Sequence, residues 1–121
     1  MYTTVVIDDV PANIYLLQCF LKLYGINAIG ANTGQDGFTL TKQHQPALVL
    51  VDLRMPEPTW NGYQVIEALR AEPGTAHIPI VAVTASGDET AAREAGCNDV
   101  LFRPFQTGQL KKIISQYLAL A

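Results

Sequence analysis

Charge is scarce in this chain. Asp, Glu, Lys and Arg supply 16% of its 121 residues, and the net charge is −3. No basic run and no stacking motif for bases occurs, which argues against nucleic acid as a direct partner. Cysteine is scarcer still: Cys19 and Cys97 stand alone, so no disulfide scaffold is expected, and both read as reduced structural thiols of a cytosolic protein. No apolar run approaches the ~20 residues of a membrane span. Met1 leads into a strand-like run without the pattern of a signal peptide. The expectation is a soluble, cytoplasmic protein with no membrane insertion. Linkers, repeats and low-complexity tracts are also missing. What remains is 49% hydrophobic, enough for a buried core, and residues 1–121 read as one domain.

Short β-branched runs alternate with amphipathic stretches along the whole length. Strands are expected at Thr3–Ile7, Asn27–Ala31, Ala47–Val51, Pro79–Val83 and Val100–Phe102. Pro79 suits a strand start that tolerates an edge. Helices are expected at Pro11–Tyr24, Gln35–Gln43, Gly62–Ala71, Asp88–Ala95 and Thr107–Leu118. Pro11 fits a first helical turn, and Gly25 and Gly96 fit helix ends. Five such repeats imply an α/β fold: a doubly wound, five-stranded parallel sheet with helices on both faces.

Three aspartates then stand where strands end. Asp8 and Asp9 follow the first run, and Asp52 follows the third. In an open parallel sheet, ligands bind at the carboxyl ends of the strands. Two unit charges about 4 Å apart repel by ~1 kcal/mol in water and ~4 kcal/mol at an effective dielectric near 20. Three converging carboxylates therefore call for a cation or a raised pKa. Asp8, Asp9 and Asp52 suit a hard cation of the Mg²⁺ kind, with few carboxylates, several waters and room for phosphate oxygens. Thr84 and Arg103 close the fourth and fifth strands and add a hydroxyl and a guanidinium to the same edge. A cation, a hydroxyl and a basic group around a carboxylate are what phosphoryl transfer to that carboxylate needs.

Each residue also has a bland reading. Asp8-Asp9 could cap the following helix, Asp52 could be a turn residue, Thr84 a strand-end hydroxyl, and Arg103-Pro104 a surface turn. Coincidence at four successive strand ends is what the bland readings do not explain. His44 and His77 lie in polar loops without ligand partners at metal spacing and read as bystanders.

The chain resembles the receiver domains of two-component response regulators. The resemblance rests on Val5-Val-Ile-Asp-Asp9, Leu50-Val-Asp-Leu-Arg-Met-Pro56 with Gly62, Ala82-Val-Thr-Ala85, Glu94-Ala-Gly-Cys-Asn-Asp99 and Phe102-Arg-Pro-Phe105. It implies the flavodoxin-like (βα)5 strand order. It also implies that Asp52 accepts a phosphoryl group from a sensor histidine kinase or a histidine phosphotransfer protein, in a Mg²⁺-dependent reaction. Small phosphodonors would drive self-phosphorylation, followed by slow autodephosphorylation. Asp9 and Asp52 would hold the metal, Asp8 would act through water, and the backbone carbonyl of Arg54 would complete the protein ligands. Thr84 would turn inward to the phosphoryl group, and Arg103 would pair with it after a cis bond to Pro104. A downstream protein effector would read the change; a homodimer stays open.

The sequence also departs from the family pattern. Arg103 stands where the family has lysine, and arginine is longer, planar and not equivalent. Val100 stands at the switch aromatic, so the usual coupling between threonine and a ring is absent or moved, with Phe102 a substitute of lower rank. The Asp52–Gly62 loop is two residues longer than usual, and Trp60 within it reads as a loop anchor or a partner contact. The Thr84–Gly96 segment is about three residues shorter, which trims the start of the fourth helix and predicts a non-standard output surface. Arg54 and Ser86 flank the pocket mouth, Arg54 either touching the phosphoryl group or lying in solvent. The rival reading is a degenerate receiver used as an interaction module. A flavin carrier of related fold is disfavoured because Ile7-Asp-Asp-Val-Pro-Ala12 would repel phosphate. A phosphatase of the aspartyl-phosphate type lacks its second carboxylate, since Arg54 holds that place. No effector sequence follows within the 121 residues, so a stand-alone receiver or a piece of a longer chain is expected.

Overall fold

The protein is described by a computed structural model covering residues 1–120; Ala121, the last residue assigned to the domain from sequence, lies outside the described residues. The strands are β1 (Thr3–Ile7), β2 (Asn27–Ala31), β3 (Leu48–Val51), β4 (Ile80–Thr84) and β5 (Asp99–Phe102). All pair in parallel, in the order β2-β1-β3-β4-β5. The helices are α1 (Pro11–Leu23), α2 (Gly34–His44), α3 (Gly62–Ala71), α4 (Glu89–Ala95) and α5 (Thr107–Ile114). This is the doubly wound parallel sheet the alternation predicts, in the flavodoxin-like order the resemblance implies.

Strict alternation of side chains divides the core in two. Val5, Ile7, Val49, Val51 and Ile80 point toward α2, α3 and α4, where Leu53, Ile66 and Leu69 meet them. Val6, Leu50, Val81 and Val83 point the other way, toward Leu17 and Leu21 of α1 and Leu110 and Ile114 of α5. β1, β3 and β4 lie inside the sheet and bury both faces, which is why their sequences are unbroken apolar runs. Each fully buried aliphatic side chain contributes roughly 1.5–3 kcal/mol.

Several element ends differ from expectation. Pro79 lies outside β4, which is flanked on both sides and is no edge strand; the proline, lacking an N–H, contributes only its carbonyl, which accepts from Val49 N–H at 2.9 Å. α5 stops at Ile114, and Tyr117 and Leu118 N–H both turn back on the Ile114 carbonyl. α2 begins at Gly34 under a Thr33 side-chain cap and ends at Gln45, a left-handed residue (φ 47°) before Pro46. Asp88 is the cap of α4 rather than its first residue. Cys97 is buried and Cys19 is exposed; both are free. The exposure of Cys19 corrects its reading as a structural thiol, because it faces outward from α1. No helix among the described residues is long and apolar enough to cross a membrane.

Candidate functional site

β1 and β3 are central neighbours, and their last residues, Ile7 and Val51, are register partners. The chain leaves each strand still hydrogen-bonded to the sheet: Asp8 N–H donates to Ala31 O (3.0 Å), and Asp52 N–H donates to Ile7 O (2.9 Å). The two following aspartates are therefore fixed side by side, at the point where connections diverge to opposite faces of the sheet. One carboxylate oxygen each from Asp8, Asp9 and Asp52 lies within 4.8 Å of the others. Asp8 and Asp52 are buried, and Asp9 is half-buried.

Neither Asp8 nor Asp9 caps α1. The cap residue is Val10, without a side-chain cap bond. Asp8 Oδ1 instead accepts Val10 N–H at 2.9 Å, which turns the chain sharply into Pro11. Its other oxygen, Oδ2, takes a guanidinium N–H from Arg103 at 3.1 Å. Burial pushes the Asp8 carboxyl above its ordinary value; the Asp52 charge adds to this, while Val10 N–H and Arg103 oppose it.

Arg103 follows β5, whose register is carried past the strand end by its N–H bond to Thr84 O at 2.8 Å. The bond from Arg103 to Pro104 is cis. The guanidinium reaches across the sheet edge: Nη1 donates to Val83 O at 3.1 Å and stands 3.9 Å from Asp52 Oδ2. The site thus holds Asp8, Asp9, Asp52 and Arg103 together. Thr84 is fully buried at the end of β4, and its hydroxyl donates to Ser86 O at 2.6 Å. Arg54 is exposed, and its backbone N–H donates to Asp52 Oδ1 at 3.2 Å.

The neighbouring loops are more tightly built than their sequences suggest. In the long Pro56–Asn61 loop, Thr59 Oγ1 accepts Gly34 N–H at 2.6 Å, and Gln35 bridges Trp60 N–H and Pro58 O. Trp60 packs against the core with its ring 5.8 Å from that of Phe38, the arrangement of a loop anchor. A second cis bond, Glu57–Pro58, lies here and carries no distinctive sequence signal beyond the proline. On the other side of the site, Asp88 N–H donates to Tyr63 Oη at 2.8 Å, a tie that sequence reading missed. Val100 packs against the core under α4, and Phe102, on the same side of β5, is 40% exposed. His44 and His77 are exposed and belong to no metal-competent group among the described residues.

The donor set suits a hard divalent cation. It offers a few carboxylate oxygens and no nitrogen or sulfur, and such a cation fills its remaining positions with water and phosphate oxygens. A zinc-type site would want nitrogen or sulfur donors, which are not among these residues.

A family model described as the response regulator receiver domain matches residues 4–115. Protein PilH of Pseudomonas aeruginosa is 33% identical over 122 aligned positions, spanning 98% of this chain and 99% of its own length. The polar-differentiation response regulator DivK of Brucella ovis is 29% identical across 96% of this chain and 95% of its own. Among solved structures, the receiver domain of a sensor histidine kinase from Pseudomonas aeruginosa has a magnesium ion coordinated in its active-site cleft. It is similar with a TM-score of 0.87 and 25% identity over 96% of each chain. A chemotaxis protein of Vibrio cholerae gives a TM-score of 0.88 at 20% identity, a likeness of fold, over 98% of this chain and 99% of its own.

Proposed function

The chain belongs to the response regulator receiver domain family of two-component systems, and from that premise we propose that Asp52 accepts a phosphoryl group from a phosphohistidine. The donor is a sensor histidine kinase or a histidine phosphotransfer protein. One observation carries the reading: the carboxylates of Asp8, Asp9 and Asp52 converge within 4.8 Å, with the Arg103 guanidinium 3.9 Å from Asp52. That is a carboxylate in an acidic pocket that one guanidinium only partly offsets, the setting for a cation and an incoming phosphoryl group.

In the transfer, an Asp52 carboxylate oxygen attacks phosphorus and the phosphorus–nitrogen bond to the donor imidazole breaks. The imidazole nitrogen leaves with the electron pair and takes up a proton. A bound Mg²⁺ would supply charge neutralisation. Asp9 and Asp52 would hold it directly, Asp8 would assist through water, and the Arg54 backbone carbonyl would complete the protein ligands. The chain's own part is positioning. Val10 N–H and Arg103 fix Asp8, and Arg54 N–H orients Asp52. Thr84 Oγ1 and the Arg103 guanidinium are the donors for phosphoryl oxygens; each exchanges its present acceptor for one of these. Arginine suits this role, because its planar fork can give two parallel bonds to a phosphoryl group.

Phosphorylation adds about −1.5 to −2 charges at pH 7 and three acceptor oxygens. The domain then signals to a downstream protein effector through a changed surface. Incubation with acetyl phosphate, followed by intact-mass measurement, tests the reading. The expected result is a Mg²⁺-dependent gain of one phosphoryl group that Asp52→Asn abolishes. No gain in wild type overturns it and leaves the interaction-module reading.

A further inference from the structure

The segment after Thr84 is fastened from an unexpected direction. Thr84 closes β4, and its hydroxyl donates to the Ser86 carbonyl at 2.6 Å. Two residues further on, Asp88 N–H donates to the Tyr63 phenol at 2.8 Å. Between them Gly87 presses so close to the start of α3 that a Cβ there would lie 2.8 Å from Leu53 Cδ1 and 3.2 Å from Tyr63 Oη. Tyr63 directly follows Gly62, whose own added Cβ would run into the Asp52 carbonyl and lie 2.6 Å from Leu53 Cα. Asp88 also caps α4 by accepting Ala91 N–H at 3.1 Å. One phenol therefore joins the loop behind Asp52 to the segment behind Thr84 and to the first turn of α4. A cleft of about 590 Å³ runs along this junction, lined by Leu53, Met55, Asn61, Tyr63 and Asp88 among others.

We propose that Tyr63 is the positioning residue for Thr84, latching Ser86–Asp88 in the resting arrangement until Asp52 is phosphorylated. The inference rests on the reading of Asp52 as phosphoryl acceptor. A threonine hydroxyl has one proton. It cannot donate to Ser86 O and to a phosphoryl oxygen together, so turning to the phosphoryl group abandons Ser86 O. Ser86 is two residues from Asp88, and the segment is short, so the displacement reaches the Asp88 N–H bond with little slack to absorb it. Losing that bond loosens the α4 cap and reshapes the cleft. At the position on β5 where the family carries its aromatic, Val100 is packed against the core and has neither ring nor hydroxyl to exchange. The reporting element in this chain lies between α3 and α4.

The test uses the whole chain, ¹⁵N-labelled, as wild type and Tyr63→Phe, with Mg²⁺ and beryllofluoride as a stable phosphoryl mimic. In wild type the mimic is expected to shift the Asp88 amide and speed its hydrogen exchange. Tyr63→Phe keeps the packed ring and removes only the acceptor. It is expected to show the faster Asp88 exchange without the mimic, and to gain phosphoryl from acetyl phosphate about fivefold faster, the equivalent of one neutral hydrogen bond no longer opposing release. A merely structural tyrosine would leave that rate unchanged or lower it. The inference is overturned by an Asp88 amide that stays put while amides around Asp52 shift, or by a Tyr63→Phe rate equal to wild type. If beryllofluoride shifts no amide around Asp52, the phosphoacceptor reading itself fails, and the latch with it.

Discussion

Replacing Arg103 with glutamine removes the guanidinium bound to the carboxylates and leaves a shorter, neutral side chain. Arg103 Nη2 lies 3.1 Å from Asp8 Oδ2, and the Asp8 side chain is only 1% exposed against 18% for the arginine. At that separation and an effective dielectric near 20, the gross attraction is on the order of 5 kcal/mol. Desolvation of both groups offsets much of it, and the partial exposure of the arginine weakens it further. The loss also has a ceiling, because Asp8 can take a proton once the cation is gone. Its carboxyl is already raised, chiefly by burial, and the substitution raises it further. The substitution removes a charge-assisted hydrogen bond, so the cost of Arg103→Gln in the metal-free protein at pH 7 should be about 1.5–3 kcal/mol. The sign follows from linkage. A carboxyl raised in the folded state stabilises folding relatively at low pH, and that contribution is lost as pH rises from the ordinary carboxylate value through the folded one. The deficit of Arg103→Gln should thus be full near neutrality and shrink as the pH falls toward the carboxylate range. Urea unfolding at pH 7 and pH 5, without metal and with Mg²⁺, reads all of this. Mg²⁺ should stabilise the variant more than wild type, since no guanidinium then competes for Asp8. A deficit that ignores pH, or equal Mg²⁺ increments in the two proteins, would refute the reasoning.

Other outcomes follow from single contacts. Arg70→Met should cost about 2–3 kcal/mol in urea unfolding, because Arg70 donates to the carbonyls of Gly96, Ala76 and Ile78 and to Asn98 Oδ1, and the methionine removes all of these donors at once; a loss within the scatter of surface substitutions would contradict the role. Burial and its hydrogen bond to Asp99 push the Tyr117 phenol up to about 12. Folding is therefore favoured by Tyr117 below its ordinary value and loses that contribution as pH climbs from about 10 to about 12; absorbance titration should show a phenol near 12 that Tyr117→Phe deletes. Arg54→Ala should leave the phosphoryl lifetime within about twofold of wild type, as expected for an exposed side chain; a many-fold shortening would place that guanidinium on the phosphoryl group.

The sequence carried the sheet because its inner strands must bury both faces, and Val5–Ile7, Leu48–Val51 and Ile80–Val83 can do nothing else in water. Two features of the site were legible for different reasons: strand ends dictate where Asp8 and Asp52 sit, and the cis Arg103–Pro104 bond came with the family motif. What stayed hidden was the pairing between distant side chains. That Arg103 rests on Asp8, 95 residues away, depends on the reach of a guanidinium held by Val83 O. That Tyr63 holds Asp88 N–H depends on how closely Gly87 lets two loops approach. Helix ends set by carbonyl geometry, such as the turn after Ile114, leave no periodic mark either.

The account stands most directly on where the phosphoryl group goes. Borohydride reduction after treatment with acetyl phosphate and Mg²⁺, followed by peptide mass mapping, converts an aspartyl phosphate into a permanent mark on its own residue. The prediction is a mark at Asp52 alone, absent when Mg²⁺ is chelated. A mark on Asp8 or Asp9, or none on any residue with Mg²⁺ present, would contradict it.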